Sequence, residues 1–156
     1  MSDGKPDGQF TPGPVDPVSG QRWVYVTPQM VGKHPQGRLN LALYGVILFF
    51  VAMAAWRFVL WAYVFSGVWF GLEIIIFGLA AVALFFRVAP AAWLGIASCA
   101  MMLIDFATGL KLVWGVQIWA IAEVIAALVV GFYLLTGARP NLIYRHRYLM
   151  EGGDVS

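Results

Sequence analysis

The sequence predicts an all-α integral membrane protein, a four-helix transmembrane bundle with short loops. The first observation is composition, since 61% of the 156 residues are hydrophobic, 12% are charged and the mean hydropathy is +0.78. Soluble domains are about 45–50% apolar and about 25% charged. The second observation is a series of four apolar runs, each close to the ~20 residues that cross a ~30 Å hydrocarbon core.

These runs predict spans at 39–61, 68–86, 91–110 and 113–137. Pro90 disfavours helix in the residue before it and suits a helix start, so it separates the second span from the third. Gly137 and Pro140 are typical of a helix end and close the fourth span. Because the connections are short, we expect consecutive helices to be antiparallel neighbours.

The N-terminal segment 1–38 is polar and rich in Pro and Gly, and it has no apolar stretch typical of a cleavable signal peptide. Such a composition cannot bury enough apolar area to offset its ordering entropy, so we expect a largely flexible tail. The stretch RWVYVT at 22–27 differs, because β-branched and aromatic residues favour an extended strand. It could lie on the membrane surface, pair with the sheet edge of another protein or remain unstructured.

Basic residues predict the orientation of the chain. Cytoplasmic loops of membrane proteins carry an excess of Lys and Arg. The side of the bundle that holds both termini would carry most of them, and Arg57 and Lys111 would lie on the other side. We therefore expect both termini in the cytoplasm of a bacterium, with the spans in its inner membrane. The basic residues on the terminal side are Lys5, Arg22, Lys33, Arg38, Arg87, Arg139, Arg145 and Arg147.

Three ionisable residues are predicted at one level near the outer ends of the spans. Arg57, Glu73 and Asp105 should each lie ~6–8 Å below the outer edge at 1.5 Å rise per residue, with Lys111 just above. Intramembrane charges cost about 2.5–3.5 kcal/mol each on insertion scales and usually face the bundle interior. The pattern predicts an ion-pair cluster that joins three helices. It could fix helix packing, bind a solute or ion, or contact another subunit.

Glu123 is predicted to lie deeper, ten residues into the fourth span and ~15 Å from its start. No Lys or Arg is expected at that depth, so we expect a neutral acid. Ala120, Ala127 and Gly131 share its helical face and form a small-residue groove that favours close helix approach. Three hypotheses remain: an interhelical hydrogen bond, a partner on another protein, or proton or cation binding.

The C-terminal segment 138–156 begins with a basic, aromatic stretch that indicates contact with lipid headgroups or with a partner protein. Juxtamembrane Lys and Arg attract anionic lipid by about 1 kcal/mol each. So few arginines in a short tail do not favour nucleic-acid binding. The residues of this predicted contact are Arg139, Tyr144, Arg145, Arg147 and Tyr148.

The sequence contains no motif for catalysis, a metal or another cofactor. Cys99 is the single cysteine, both histidines are in the tails, and no nucleophile–base pair or phosphate loop is present. We therefore expect a non-enzymatic accessory or assembly subunit of a larger membrane complex, in contact with other membrane subunits or with copies of itself. The alternative is a small transporter or a proton-coupled transport component that uses Glu123 and the other intramembrane carboxylates.

Overall fold

The computed structural model of the protein describes residues 11–17, 20–34, 37–63, 67–109 and 117–150. Four helices within these ranges are long and apolar enough to cross a membrane. They are α2 (Leu41–Tyr63), α3 (Val68–Phe85), α4 (Ala91–Gly109) and α5 (Gln117–Thr136). The predicted set of four spans is confirmed, with small differences at most ends. Lys111 and the predicted start of the fourth span lie outside the described residues.

The four helices pack through one inward stripe each. On α2 the stripe advances by three or four residues at a time, which keeps its members on one side of a helix with 3.6 residues per turn. Phe50, Phe77 and Leu134 on this inner surface are fully buried. The apolar core comprises Leu43, Val46, Phe50 and Met53 of α2, Phe77, Ala80, Ala81 and Leu84 of α3, Ala91, Ala92, Cys99 and Met102 of α4, and Ala127, Val130 and Leu134 of α5.

The outer faces of the helices are also apolar. Leu48, Leu79 and Phe132 are 67%, 54% and 63% exposed, and similar residues surround the bundle. Soluble monomers rarely expose apolar patches larger than a few hundred Å². A hydrocarbon environment removes that difficulty, because lipid chains replace water against these side chains. The exposed faces therefore indicate an integral membrane protein.

Segments from both ends of the chain fold together beyond one end of the bundle, which we call the terminal end. Strands β1 (Thr11–Val15), β2 (Arg22–Tyr25) and β3 (Arg147–Met150) form an antiparallel sheet in the order β1-β2-β3. The expected strand in 22–27 is present, and its neighbours are strands of the same chain. The described part of the N-terminal segment, where composition predicted a largely flexible tail, contains β1 and β2, and pairing of β2 with β3 supplies backbone hydrogen bonds from the other end of the chain.

Two short helices connect this sheet to the bundle. Thr27 caps α1 (Pro28–Lys33), and α6 (Ala138–Arg145) follows α5 directly. His146 ends α6 in the left-handed conformation at φ 50°, and its carbonyl accepts a hydrogen bond from Val26 N–H at 2.9 Å. Tyr144 donates its hydroxyl to the Leu84 carbonyl at 2.8 Å, which attaches α6 to the end of α3.

Candidate functional site

One guanidinium and three carboxyls meet near the end of the bundle opposite the sheet, which we call the far end. Arg57 Nε lies 3.0 Å from Glu73 Oε2, and Arg57 Nη2 lies 3.3 Å from Glu123 Oε2 and 3.5 Å from Asp105 Oδ2. Each of the four spans contributes one of these residues. We call Arg57, Glu73, Asp105 and Glu123 the far-end cluster.

Helical spacing explains why the cluster forms. Each member continues the inward stripe of its own helix by one more turn toward the far end. Positions three or four apart share a helix face, so a charged residue placed there must point at the other three helices. The pairs of neighbours along the stripes are Met53 and Arg57, Glu73 and Phe77, Met102 and Asp105, and Glu123 and Ala127.

Glu73 is the most buried member, with its side chain 1% exposed. Neither of its carboxyl oxygens accepts a hydrogen bond, and Arg57 Nε also donates none. The 3.0 Å contact between them is therefore an ion pair with poor hydrogen-bond alignment. A buried carboxyl without hydrogen-bond donors loses its hydration free energy, and an ion pair of this kind compensates only part of that loss. Glu73 thus retains capacity for another ligand.

A second acid shares Arg57 with Glu73. Arg57 lies 3.0 Å from Glu73 Oε2 and 3.5 Å from Asp105 Oδ2. Two carboxylates beside one guanidinium repel each other when both are ionised, and a proton on either one removes that repulsion. Trp69 Nε1 donates to Asp105 Oδ1 at 2.9 Å and holds this carboxyl in place. The sequence offered one signal for Trp69, since it precedes Glu73 by four residues and so shares its helical face.

The cluster is closed toward the terminal end and more open toward the far end. Phe50, Phe77 and Leu84 are fully buried on the terminal side of it. The side chains of Asp105 and Glu123, in contrast, are 21% and 22% exposed.

The expectation that no Lys or Arg lies at the level of Glu123 is wrong, because Arg57 donates to it at 3.3 Å. Glu123 lies about 9 Å along the helix from Gln117, the first described residue of α5. The predicted start of this span at residue 113 lies outside the described residues. The neighbours of Glu123 on α5 were correctly placed, because Ala127 is fully buried and Gly131 lies against Cys99 of α4.

The predicted lipid-contact residues lie at the terminal end. Arg139 donates to the Arg38 carbonyl at 3.3 Å, and Arg145 donates to the Leu135 carbonyl at 3.0 Å. Tyr144 is 2% exposed, so it does not face headgroups in this structure. Its contact is instead the internal hydrogen bond to α3. The backbones of Arg147 and Tyr148 belong to β3, and the side chain of Tyr148 lies outside the described part.

Comparisons with protein-family models, with curated proteins and with solved structures find no match to this chain. The function of the far-end cluster is therefore inferred from its own chemistry. That chemistry is the pairing of one permanent cation with three acids inside an apolar bundle.

Proposed function

We propose that the protein is a proton-coupled membrane protein whose far-end cluster binds and releases protons. The observation that carries this proposal is the unequal pairing of one guanidinium with three carboxyls. With all four groups ionised, three carboxylates against one guanidinium leave a formal charge of −2. Intramembrane charge is costly, and buried groups without full compensation usually become neutral.

A proton fits the carboxyl pair better than a larger ligand does. Glu73 and Asp105 contact the same guanidinium, and one proton on either acid lowers the excess negative charge around it. No group of three or more His, Cys, Asp or Glu side chains within the described ranges is arranged to hold a metal ion. Arg57 supplies the positive charge of the cluster. It would then compensate whichever carboxyls are ionised.

The exposure of the three acids supports an order of proton movement. Asp105 and Glu123 are partly exposed, and Glu73 is enclosed. We infer that a proton enters at Asp105 or Glu123 and reaches Glu73 through Asp105. The buried apolar core that runs from Phe50 and Phe77 to Leu84 at the end of α3 would prevent free leakage to the other side. Transfer across the membrane would then require rearrangement of the helices.

Infrared difference spectroscopy of the purified protein tests proton binding. Between acid and alkaline buffer we expect a carbonyl band of a neutral carboxyl that shifts in D₂O. Glu73→Gln should remove part of this band, because the amide cannot take up the proton. Asp16→Asn, in the turn after β1, is the matched control and should leave the band unchanged.

Reconstitution into liposomes tests the coupling. We expect Glu123→Gln to slow proton uptake from the far side while the variant still folds and inserts. The proposal fails if the wild-type protein shows no neutral carboxyl at any pH at which it is folded. It also fails if the Gln variants of all three acids exchange protons as the wild type does.

The membrane and the orientation are further parts of the proposal. Apart from Arg57, the described basic residues lie outside the spans on the terminal side, with Asp16 the acidic residue described there. An excess of Lys and Arg marks the cytoplasmic side. We therefore propose a bacterial inner-membrane location with cytoplasmic termini. Accessibility labelling of single cysteines placed at positions 20 and 63, in a Cys99→Ser background, checks the orientation.

A role as an accessory subunit is the second candidate, and the sheet favours it. Strand β3 lies at one edge of the sheet, and its outer side pairs with no strand among the described residues. Open edges accept strands from other proteins. Extraction in mild detergent followed by native mass analysis tests this role. A particle that contains one copy of the chain and no other protein would count against it.

A further inference from the structure

Two arginines at the terminal end hold unused hydrogen-bond donors. Arg145 ends α6 and Arg147 begins β3, with the left-handed His146 between them. Arg145 Nη1 donates to the Leu135 carbonyl and to Asn141 Oδ1, both at 3.0 Å. Its Nε and Nη2, and the Nε of Arg147, are buried and have no hydrogen-bond partner. A guanidinium has five N–H donors in a planar fork, and the burial of donors without acceptors is unfavourable.

Each guanidinium rests on an indole ring. Arg145 lies over Trp93 with its central carbon 4.6 Å from the ring centroid, and Arg147 lies over Trp23 at 4.3 Å. These contacts orient the planar groups without using their N–H donors, because a cation–π contact involves the face of the guanidinium. The donors therefore remain at the edges of two pre-oriented forks.

Positive charge is concentrated at this site. Burial lowers the pKa of Arg145, and the neighbouring positive charge of Arg147 lowers it further. The acidic residue described at this end is Asp16, in the turn before Arg22. Arg147 pairs with Tyr25 at the other end of β2, about 10 Å further along the strand. An external anion would balance part of this positive charge.

The site lies at the level of a lipid headgroup. Trp93 is the third residue of α4 and is 58% exposed, a position typical of interfacial tryptophan. The Leu135 carbonyl that Arg145 contacts belongs to the last turn of α5. Both spans therefore reach the interface at the two guanidinium groups. The anion that a bilayer presents at this depth is the phosphate of a phospholipid, which arginine binds in bidentate fashion.

We propose that Arg145 and Arg147, beside Trp93, form a binding site for the phosphate of an anionic phospholipid headgroup. Phosphate would accept hydrogen bonds from Nε and Nη2 of Arg145 and from Nε of Arg147 once rotation of the two side chains exposes these buried atoms. The bound lipid would hold α6 and β3 against the ends of α4 and α5, and so connect the sheet to the bundle.

Native mass spectrometry of the full-length protein, delipidated in a non-ionic detergent, tests this site. The three probes are phosphatidylglycerol, phosphatidylcholine and inorganic phosphate. We expect retention of phosphatidylglycerol, weaker retention of phosphatidylcholine, and no displacement of lipid by inorganic phosphate at equal concentration. Arg147→Gln should weaken phosphatidylglycerol binding about five-fold, which corresponds to about 1 kcal/mol for one juxtamembrane charge.

The controls separate the site from general charge and from folding. Lys33→Gln removes the same charge from exposed α1 and should bind lipid as the wild type does. Arg147→Lys keeps the charge and should recover part of the affinity. Arg145→Gln also removes a contact to α5. If Arg145→Gln fails to fold for that reason, the affinity of Arg147→Gln for phosphatidylglycerol alone tests the site.

Three outcomes would overturn the inference. One is equal retention of phosphatidylcholine and phosphatidylglycerol, which would remove the preference for an anionic headgroup. Another is wild-type affinity in Arg147→Gln. The third is binding of inorganic phosphate by the two arginines without retention of lipid, which would assign the site to a soluble phosphate.

Discussion

Arg57 Nη2 lies 3.3 Å from Oε2 of Glu123, although 66 positions separate the two residues in the sequence. Arg57 also contacts Glu73 of α3 and Asp105 of α4, so its guanidinium lies against all three acids of the far-end cluster. One side chain of α2 therefore connects all four spans. Its loss should affect the whole bundle.

Arg57→Gln should destabilise the protein by about 3–5 kcal/mol, because it leaves buried carboxyls without their cation. Equilibrium unfolding in mixed detergent measures this cost. The double variant Arg57→Gln/Glu73→Gln should recover part of it, since the amide removes the most buried acid. A cost below about 1 kcal/mol for Arg57→Gln would show that the ion pairs do not hold the helices together.

Trp69→Phe should cost about 1–2 kcal/mol, because Asp105 loses the indole N–H that it accepts at 2.9 Å. Trp119→Phe is a matched control, since Trp119 is 74% exposed on the apolar surface of α5. It should change the unfolding free energy by less than about 0.5 kcal/mol. Equal effects in thermal unfolding of the two variants would contradict the role assigned to Trp69.

Gly95→Ala should destabilise the bundle by about 1–2 kcal/mol. A Cβ at this position would lie 2.7 Å from Leu134 Cδ1 and 3.4 Å from Phe50 Cε2, and both side chains are fully buried. Gly78→Ala has no atom within 4 Å of the added Cβ, so better helix propensity should stabilise it by about 0.5–1 kcal/mol. Shifts of opposite sign in the unfolding midpoints of Gly95→Ala and Gly78→Ala would confirm that α4 needs a glycine at position 95.

Tyr144→Phe should cost about 1 kcal/mol at pH 7 through loss of the bond to the Leu84 carbonyl. Burial also raises the pKa of the Tyr144 phenol. The folded state therefore binds this proton more tightly than the unfolded state, and its contribution is complete below pH ~10 and declines above it. The difference in stability between the wild type and Tyr144→Phe should shrink as pH rises past ~10.

Tyr25→Phe provides the control for that alkaline experiment, because Tyr25 is 41% exposed on β2. The free energy of unfolding of Tyr25→Phe should therefore match that of the wild type at pH 7 and also above pH ~10. A Tyr144→Phe variant whose alkaline loss of stability matches that of the wild type would show that the buried hydroxyl does not contribute to the pH dependence.

Sequence reasoning located most of the far-end cluster because depth in a helix follows from a fixed rise per residue. Arg57, Glu73 and Asp105 could be placed at one level on that basis alone. Glu123 could not, because its expected depth was counted from residue 113, and an apolar run does not by itself define where a helix begins.

The sheet shows a second limit. The strand character of RWVYVT was visible in its β-branched and aromatic residues, but its partners were not. Strand β3 comes from the opposite end of the chain, and its pairing with β2 depends on the bundle bringing the two ends together. The basic stretch at 139–147 was likewise visible, whereas the short helix that buries Tyr144 was not.

The sequence by itself determined that this chain has four helices long and apolar enough to cross a membrane, because length and hydropathy alone decide whether a helix is stable in hydrocarbon. It also determined which residues are ionisable within the spans. Only the tertiary structure decided that one arginine faces all three intramembrane acids. That arrangement depends on the rotation of each helix about its own axis and on its position along that axis relative to its neighbours. Side-chain packing between the helices determines the rotation and the position.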